Sequence, residues 1–119
     1  MGSKKRRMPK GTASKENMKI KYDLKKSGLY IYLDGELDDC CGERVRSELD
    51  DLLDKHSTVK SVVFNMRDLS FMDSTGIGIL IGRYKRLKKR GTSVFIQSPS
   101  FAADKVFQTG GIYTLIPKI

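Results

Sequence analysis

A strand, a helix and a second strand follow one another within about 35 residues, and this pattern constrains the fold most strongly. The strands are the β-branched runs SVVFNM at 61–66 and SVFIQS at 93–98. Between them, apolar side chains recur at helical spacing, at Ile77, Leu80, Ile81, Tyr84 and Leu87. The pattern predicts a right-handed crossover between parallel strands, and the first strand, apolar almost throughout, should be central in the sheet.

The flanking segments complete an α/β pattern. Residues 20–33 alternate around the turn KKSG and predict a hairpin. An amphipathic helix is predicted over 41–55, from the spacing of Val45, Leu49, Leu52 and Leu53. The segment IYTLIPKI at 112–119 is predicted as a last edge strand whose pairing ends at Pro117. We therefore predict a single α/β domain, a mixed sheet of about five strands with helices packed against it.

Basic residues are concentrated at the N-terminus. The net charge is +9, and residues 1–17 hold six basic side chains against one acidic side chain. This segment has no apolar period, so we interpret 1–17 as a disordered, vector-derived basic leader and 18–119 as the folded domain. The alternative for the leader is a nucleic-acid-binding or targeting arm.

Membrane and metal-dependent functions are disfavoured. No apolar run reaches the roughly 18 residues of a membrane span, so we expect a soluble, cytoplasmic protein with no membrane partner. Cys40 and Cys41 are adjacent and cannot join distant segments, and His56 is the only histidine. We therefore expect no structural disulfide, no metal and no cofactor.

The segment FMDSTGIGILIGRYK at 71–85 holds the candidate site. Ser74 lies where the central strand turns into the helix, near the carboxyl end of the sheet, where open α/β sheets place their sites. A nucleophilic serine would need a G-x-S-x-G elbow and a later histidine, but Met72 replaces the first glycine and His56 lies upstream. Glycines 76, 78 and 82 match neither a P-loop nor a dinucleotide fingerprint. The sequence therefore predicts no catalytic residue and no enzyme activity.

Two roles remain open for the Ser74 hydroxyl. Asp73, Ser74 and Thr75 are all residues that can cap a helix, with a contribution of about 1 kcal/mol. A helix N-terminus also accommodates a phosphate, so a phosphoserine is compatible with the same position. Such a phosphate would add about two negative charges beside Asp73, with Asp38 as a candidate neighbour.

Three segments carry a family resemblance: LYIYLDGELDD, VVFNMRDLSFMDSTGIGILIGRYKRLKKRG and SPSFAADKVFQTGGIYTLI. They resemble successive blocks of the bacterial anti-sigma factor antagonists, which are STAS-domain proteins, and particularly of the sporulation-type members. The resemblance covers nearly all of 18–119. Its most specific element is LSFMDSTGIGILIGRYK, where the family has an aspartate, the phosphorylatable serine, a small or hydroxyl residue and a glycine.

The resemblance implies a non-enzymatic switch. In its dephosphorylated form such a protein binds an anti-sigma factor that is also a serine kinase, and so frees a sigma factor for transcription. The kinase phosphorylates and releases the antagonist, and a serine phosphatase restores it. The resemblance gives Ser74 the phosphoacceptor role. It gives the partner-binding surface to Asp38, Asp73, Thr75, Gly76, Ile77 and Gly78.

Two departures from the family pattern affect these expectations. Asp39 and Cys40 stand where sporulation-type members commonly carry histidines, so contacts of that loop should differ. The sequence ends at Ile119, where family members usually continue into a final helix. An uncovered sheet edge at that end would favour a homodimer.

Two rival functions stay open from the sequence. A helix N-terminus can hold a phosphate without a P-loop, which would make the chain a small nucleotide-binding module. The leader and the basic run from Arg83 to Arg90 suggest a nucleic-acid-binding protein. Nucleic acid is the weaker partner prediction, because most of the excess positive charge lies in the leader.

Overall fold

A four-stranded mixed sheet forms the centre of the computed structural model, which describes residues 17–119. Its strands, in spatial order, are β1 (Met18–Lys25), β2 (Gly28–Leu37), β3 (Ser61–Met72) and β4 (Ser93–Gln97). The helices are α1 (Gly42–Lys55), α2 (Ser74–Lys89) and α3 (Phe101–Gly110), followed by a 3-10 helix at Ile112–Thr114. β1 and β2 are antiparallel, whereas β3 is parallel to both of its neighbours. The predicted hairpin, central strand and parallel crossover are confirmed.

The helices pack on one face of the sheet. Strand β3 directs Val62, Phe64 and Met66 to the face on which all three helices pack, since these residues share one core with the helices. The helical members of that core include Val45, Leu49, Leu53, Ile79, Leu80, Leu87, Ala103 and Phe107. Full burial of one such Leu, Ile or Phe side chain contributes roughly 1.5–3 kcal/mol. The site described below is therefore held on a rigid, well-packed scaffold.

The start of β1 is fixed against β2. The Asn17 carbonyl accepts a hydrogen bond of 2.9 Å from the Glu36 amide. Gly35 has a φ of +120°, and a Cβ there would lie 1.5 Å from the Asn17 oxygen, so this crossing requires glycine. Asn17 is thus part of the folded unit, and the rest of the predicted leader lies outside the described residues. No helix within 17–119 combines the length and apolar character needed to cross a membrane.

Much of the basic run in α2 is engaged by α1. The Arg83 Nε lies 3.2 Å from an Asp50 carboxylate oxygen, and the Arg86 guanidinium lies 2.7 Å from the same oxygen while also contacting Asp54. Arg90 donates a hydrogen bond of 3.2 Å to the Leu53 carbonyl. These arginines bridge two helices, which weakens the interpretation of the run as a nucleic-acid-binding surface.

The C-terminal segment differs from the predicted edge strand. Gly111, in the left-handed region at φ +68°, ends α3, and the 3-10 helix follows directly. Ile112 and Ile116 are both buried, whereas Thr114, which would share their face in a strand, is exposed. The Ile116 amide donates a 2.9 Å hydrogen bond to the Ile112 carbonyl, as in a helical turn. Strand-like pairing is reduced to a single parallel bridge between Ile96 and Lys118. The sheet therefore has four strands instead of about five, and the α/β class is unchanged.

Candidate functional site

The first turn of α2 is organised by Asp73. Its backbone is extended, with φ −120° and ψ −168°, and its Oδ1 accepts a 2.9 Å hydrogen bond from the Thr75 amide. The Asp73 amide itself donates to the Leu37 carbonyl at 3.3 Å, which ties the end of β3 to the end of β2. Asp73 is therefore the helix cap, one of the roles that the sequence left open among three neighbouring residues.

Ser74 is left exposed by this arrangement. It is the first residue of α2, and its hydroxyl makes no hydrogen bond to any residue within 17–119. The helix macrodipole and the free amides of the first turn favour negative charge at this position. The hydroxyl is thus accessible to a modifying enzyme and is not required for the turn.

A shallow groove of about 480 Å³ runs from Ser74 along the space between α2 and α3. Its lining residues, apart from Ser74, are Ile77, Lys105, Val106, Thr109 and Gly110. The helices approach closely, since a Cβ on Gly110 would lie 3.1 Å from the Ile77 Cδ1. The groove offers apolar contact area immediately beside the hydroxyl.

The loop before α1 lies on the other side of the same turn. The Asp38 carboxylate accepts a 3.0 Å hydrogen bond from the Cys40 amide, which closes a tight turn. A Cβ on Gly42 would lie 3.1 Å from the Thr75 Cγ2, so the start of α1 packs directly on the first turn of α2. The fold therefore places the acidic loop that contains Asp38 and Asp39 next to the Ser74 region.

Both cysteines belong to this loop but differ in environment. Cys41 is buried, its thiol lies 3.5 Å from the carbonyl oxygens of Glu36 and Asp38, and burial raises the pKa of the thiol. Cys40 is exposed, and its Sγ and the carboxylate oxygens of Asp38 and Asp39 lie within 4.8 Å of one another. We assign no metal to this group, because three consecutive residues of a largely exposed turn would leave much of a coordination shell to water.

The remaining residues predicted for the partner surface occupy different environments. Thr75 and Ile77 are half-buried, whereas Gly78 is exposed and no atom lies within 4 Å of a Cβ built on it. Gly76 is buried, and a Cβ there would lie 2.8 Å from the Met72 Cγ. Gly76 thus supports the turn from beneath, and Gly78 leaves the helix surface open.

Sequence reasoning missed the contribution of α3 to this surface. Phe101, at the start of α3, is 81% exposed, and the Lys105 ammonium lies 5.4 Å from its ring centre. Val106 lines the groove, although an apolar residue in a short helix would ordinarily be assigned to the core. A detectable signal was the spacing: Ala103 and Phe107, four residues apart, form the buried stripe, and Phe101 lies outside it.

His56 is remote from the hydroxyl. It is the residue that ends α1, and its ring lies 5.2 Å from the ring of Tyr22 on β1, the strand at the far side of the sheet. The single histidine of the chain is therefore not arranged as a base for Ser74, in agreement with the sequence-based argument against a serine hydrolase.

Comparison with known proteins identifies the family. The STAS domain family model matches residues 18–119. An anti-sigma F factor antagonist from Lysinibacillus sphaericus is 35% identical over 82 residues, which cover 69% of each chain. The anti-sigma factor antagonist SpoIIAA in its unphosphorylated form matches with a TM-score of 0.70 and 27% identity, over 85% of this chain and 88% of the other.

The structure of the Bacillus cell fate determinant SpoIIAA in the phosphorylated form is similar as well. It matches with a TM-score of 0.64 and 27% identity, over 85% of this chain and 91% of the other. The predicted family is thus confirmed by sequence and by fold. The chain belongs to the STAS-domain family, among the anti-sigma factor antagonists.

Proposed function

We propose that this protein regulates transcription as an anti-sigma factor antagonist, and that phosphorylation of Ser74 switches its binding to an anti-sigma factor. The family membership supports the general role, and one of the similar solved structures is a phosphorylated form. The observation that carries the site assignment is that Asp73, and not Ser74, caps α2. The Ser74 hydroxyl is therefore free to be modified without loss of the cap.

The partner-binding surface in this proposal surrounds Ser74. It combines Asp38 from the loop before α1, Ile77 and Gly78 from α2, and the groove side of α3. Asp73 and Thr75 form the turn, and buried Gly76 supports it. An exposed hydroxyl beside apolar groove residues suits a contact that is favourable only when the hydroxyl is uncharged.

The effect of the phosphate is electrostatic. A phosphoserine at 74 carries about −1.5 to −2 charges at pH 7, close to the Asp73 carboxylate and the acidic loop. Lys105 is the charged residue that lines the groove. Desolvation of this additional charge at an interface opposes binding. The helix N-terminus compensates the charge within the free protein, so we expect the fold to persist.

The partner and the enzymes of the cycle follow from the same proposal. The anti-sigma factor is itself the serine kinase, a serine phosphatase reverses the modification, and the cycle takes place in the cytoplasm. The antagonist contributes the acceptor hydroxyl and the docking surface, while the chemistry is supplied by the other two proteins. We expect no turnover by the isolated protein.

The test uses an anti-sigma F factor of a related Bacillus species as the probe, with ATP and magnesium, and reads intact mass. Wild type should gain one phosphoryl group, Ser74→Ala should gain none, and the matched control Thr75→Ala should still gain one. In calorimetric titrations Ser74→Ala should bind like wild type, whereas Ser74→Asp should bind at least ten-fold more weakly. Modification at Thr75, or equal affinities for folded alanine and aspartate variants, would contradict the assignment.

A further inference from the structure

Strand β1 forms an open edge of the sheet. It pairs with β2 over Met18–Lys25, and no strand within residues 17–119 pairs with its outer side. Its register with β2 is free of bulges over its whole length, unlike that of β2 with β3. A regular edge strand presents a row of backbone donors and acceptors that can pair with another chain.

On the side of the sheet where the helices pack, β1 carries apolar side chains that the helices do not fully cover. Ile20, Tyr22 and Leu24 lie opposite the buried residues Leu33, Ile31 and Leu29 of β2, so they extend the core surface outward. Tyr22 is nevertheless 52% exposed and Leu24 48% exposed. A depression of about 250 Å³, lined in part by Ile20, Tyr22 and Leu52, leaves room for a further aromatic ring beside Tyr22.

The opposite face of β1 carries charges. Lys21 lies opposite Tyr32 of β2, and Asp23 lies opposite Tyr30. Lys21 and Asp23 are both exposed, and neither forms an ion pair with a described residue. They flank Tyr22 symmetrically, one residue on each side. An antiparallel strand of the same sequence, centred on Tyr22, would therefore place each lysine opposite an aspartate.

We propose that β1 is a homodimer interface that pairs antiparallel with β1 of a second copy, with the two-fold axis at Tyr22. Tyr22 then lies opposite its own copy, Ile20 opposite Leu24, and Lys21 opposite Asp23, on both sides of the axis. The two sheets join into one of eight strands. The apolar surface of each edge is covered by that of the other, and the two unpaired charges find partners.

The charge pairs next to the two-fold axis favour this register and a second copy as the occupant, because only this register places Lys21 opposite Asp23 on both sides of the axis. Moving the axis to Lys21 or to Asp23 would place identical charges directly opposite each other, which destabilises a cross-strand pair. A slip by one residue would set apolar side chains against charged ones. The chosen register also places Lys19 opposite Lys25, an unfavourable pair, but only at the two ends of the strand. The Lys25 ammonium lies over the Tyr30 ring, 4.9 Å from its centre.

The interface is small and lies away from the switch. One eight-residue strand per copy is below the size of stable standard interfaces, so the dimer should be reversible. β2 separates β1 from β3, whose end leads into Ser74. Dimerisation would leave the surface around Ser74 open, and one dimer could present two copies of it.

Sedimentation equilibrium of the full chain, over a range of concentrations, tests the proposal. Wild type should show a monomer–dimer equilibrium. Each single change, Lys21→Asp or Asp23→Lys, places like charges together at two symmetry-related pairs and should raise the dissociation constant about ten-fold. The double variant Lys21→Asp/Asp23→Lys should recover the wild-type constant, because it reverses every pair without losing one.

The matched control is Lys85→Asp, which makes the same charge change at an exposed position of α2. It should leave the dissociation constant unchanged, and circular dichroism verifies that each variant is folded. A wild type that stays monomeric up to about 1 mM would overturn the proposal. So would a double variant that associates as weakly as the single variants, or a control that weakens the dimer as much as they do.

Discussion

Replacement of Asp73 should destabilise the protein far more than replacement of Ser74. In Asp73→Ala the Thr75 amide loses its 2.9 Å hydrogen bond, and such caps contribute 0.5–2 kcal/mol, typically about 1. The carboxylate also interacts with the helix dipole, which adds about 0.3–1 kcal/mol. The expected loss is therefore about 1–2 kcal/mol. Ser74 is exposed and unbonded, so Ser74→Ala should stay within about 0.5 kcal/mol of wild type.

Urea unfolding at pH 7, followed by circular dichroism, measures both free energies of unfolding. For a domain of this size, 1 kcal/mol corresponds to a shift in melting temperature of about 4–8 °C, so the two variants are easily separated. Asp73→Asn is the informative control, because its amide oxygen can still accept the Thr75 hydrogen bond but carries no charge. It should lie between wild type and Asp73→Ala.

The opposite ranking would refute this reasoning. If Ser74→Ala lost as much stability as Asp73→Ala, the serine hydroxyl would be part of the cap. Phosphorylation would then have to break a structural contact. A switch that acts through charge, with the fold preserved, would then be excluded.

Two further changes test other parts of the structure. Gly76→Ala should destabilise the protein by about 1–2 kcal/mol in urea unfolding, because the new Cβ would lie 2.8 Å from the Met72 Cγ. The control Gly78→Ala has open space around it and should be neutral or stabilising by up to about 1 kcal/mol. Equal losses of stability in the two variants would contradict this packing. Tyr113→Phe removes a 2.5 Å hydrogen bond to Asp104, the main cause that lowers the pKa of that carboxyl, so NMR titration should show this pKa raised. A carboxyl whose pKa is lowered by folding stabilises the folded state at pH values above its ordinary pKa, and this stabilisation is lost as the pH falls. The stability deficit of Tyr113→Phe should therefore shrink in acid. An unchanged Asp104 pKa in the variant would count against the contact.

The sequence predicted the parts of the fold that rest on long periodic patterns. The strand–helix–strand unit around 61–97 combined two β-branched runs with an apolar stripe of about three helical turns, and each of these patterns is specific. The C-terminal segment was too short to separate a period of two from a helical spacing. Ile112 and Ile116 fit both patterns until tertiary packing buried them on one side of a turn.

The strand-to-helix turn that holds Asp73 to Thr75 was predicted in position, but its hydrogen bonding was not. Asp73, Ser74 and Thr75 are all residues that cap helices, so the sequence could not choose among them, whereas backbone geometry assigns the cap to Asp73. The groove contributed by α3 depends on which side of that helix faces α2. Phe101 and Val106 are apolar, as core residues usually are, but the structure places Phe101 on the surface and Val106 in the groove.

In the proposed switch, the distance over which a phosphate on Ser74 exerts its charge limits which groups of the partner it can affect. The turn is held by the Asp73 cap, by the Asp73–Leu37 backbone hydrogen bond and by Gly76 against Met72, none of which involves the Ser74 hydroxyl. A phosphate there has no structural bond to break, so in the proposed switch it opposes binding through its electric field and through the cost of desolvating its charge. At physiological ionic strength that field is screened over about 8 Å where it passes through solvent. The partner groups that read the modification must therefore lie within roughly that distance of Ser74 or be desolvated with it, and added salt should reduce the difference in affinity between Ser74→Ala and Ser74→Asp without abolishing it.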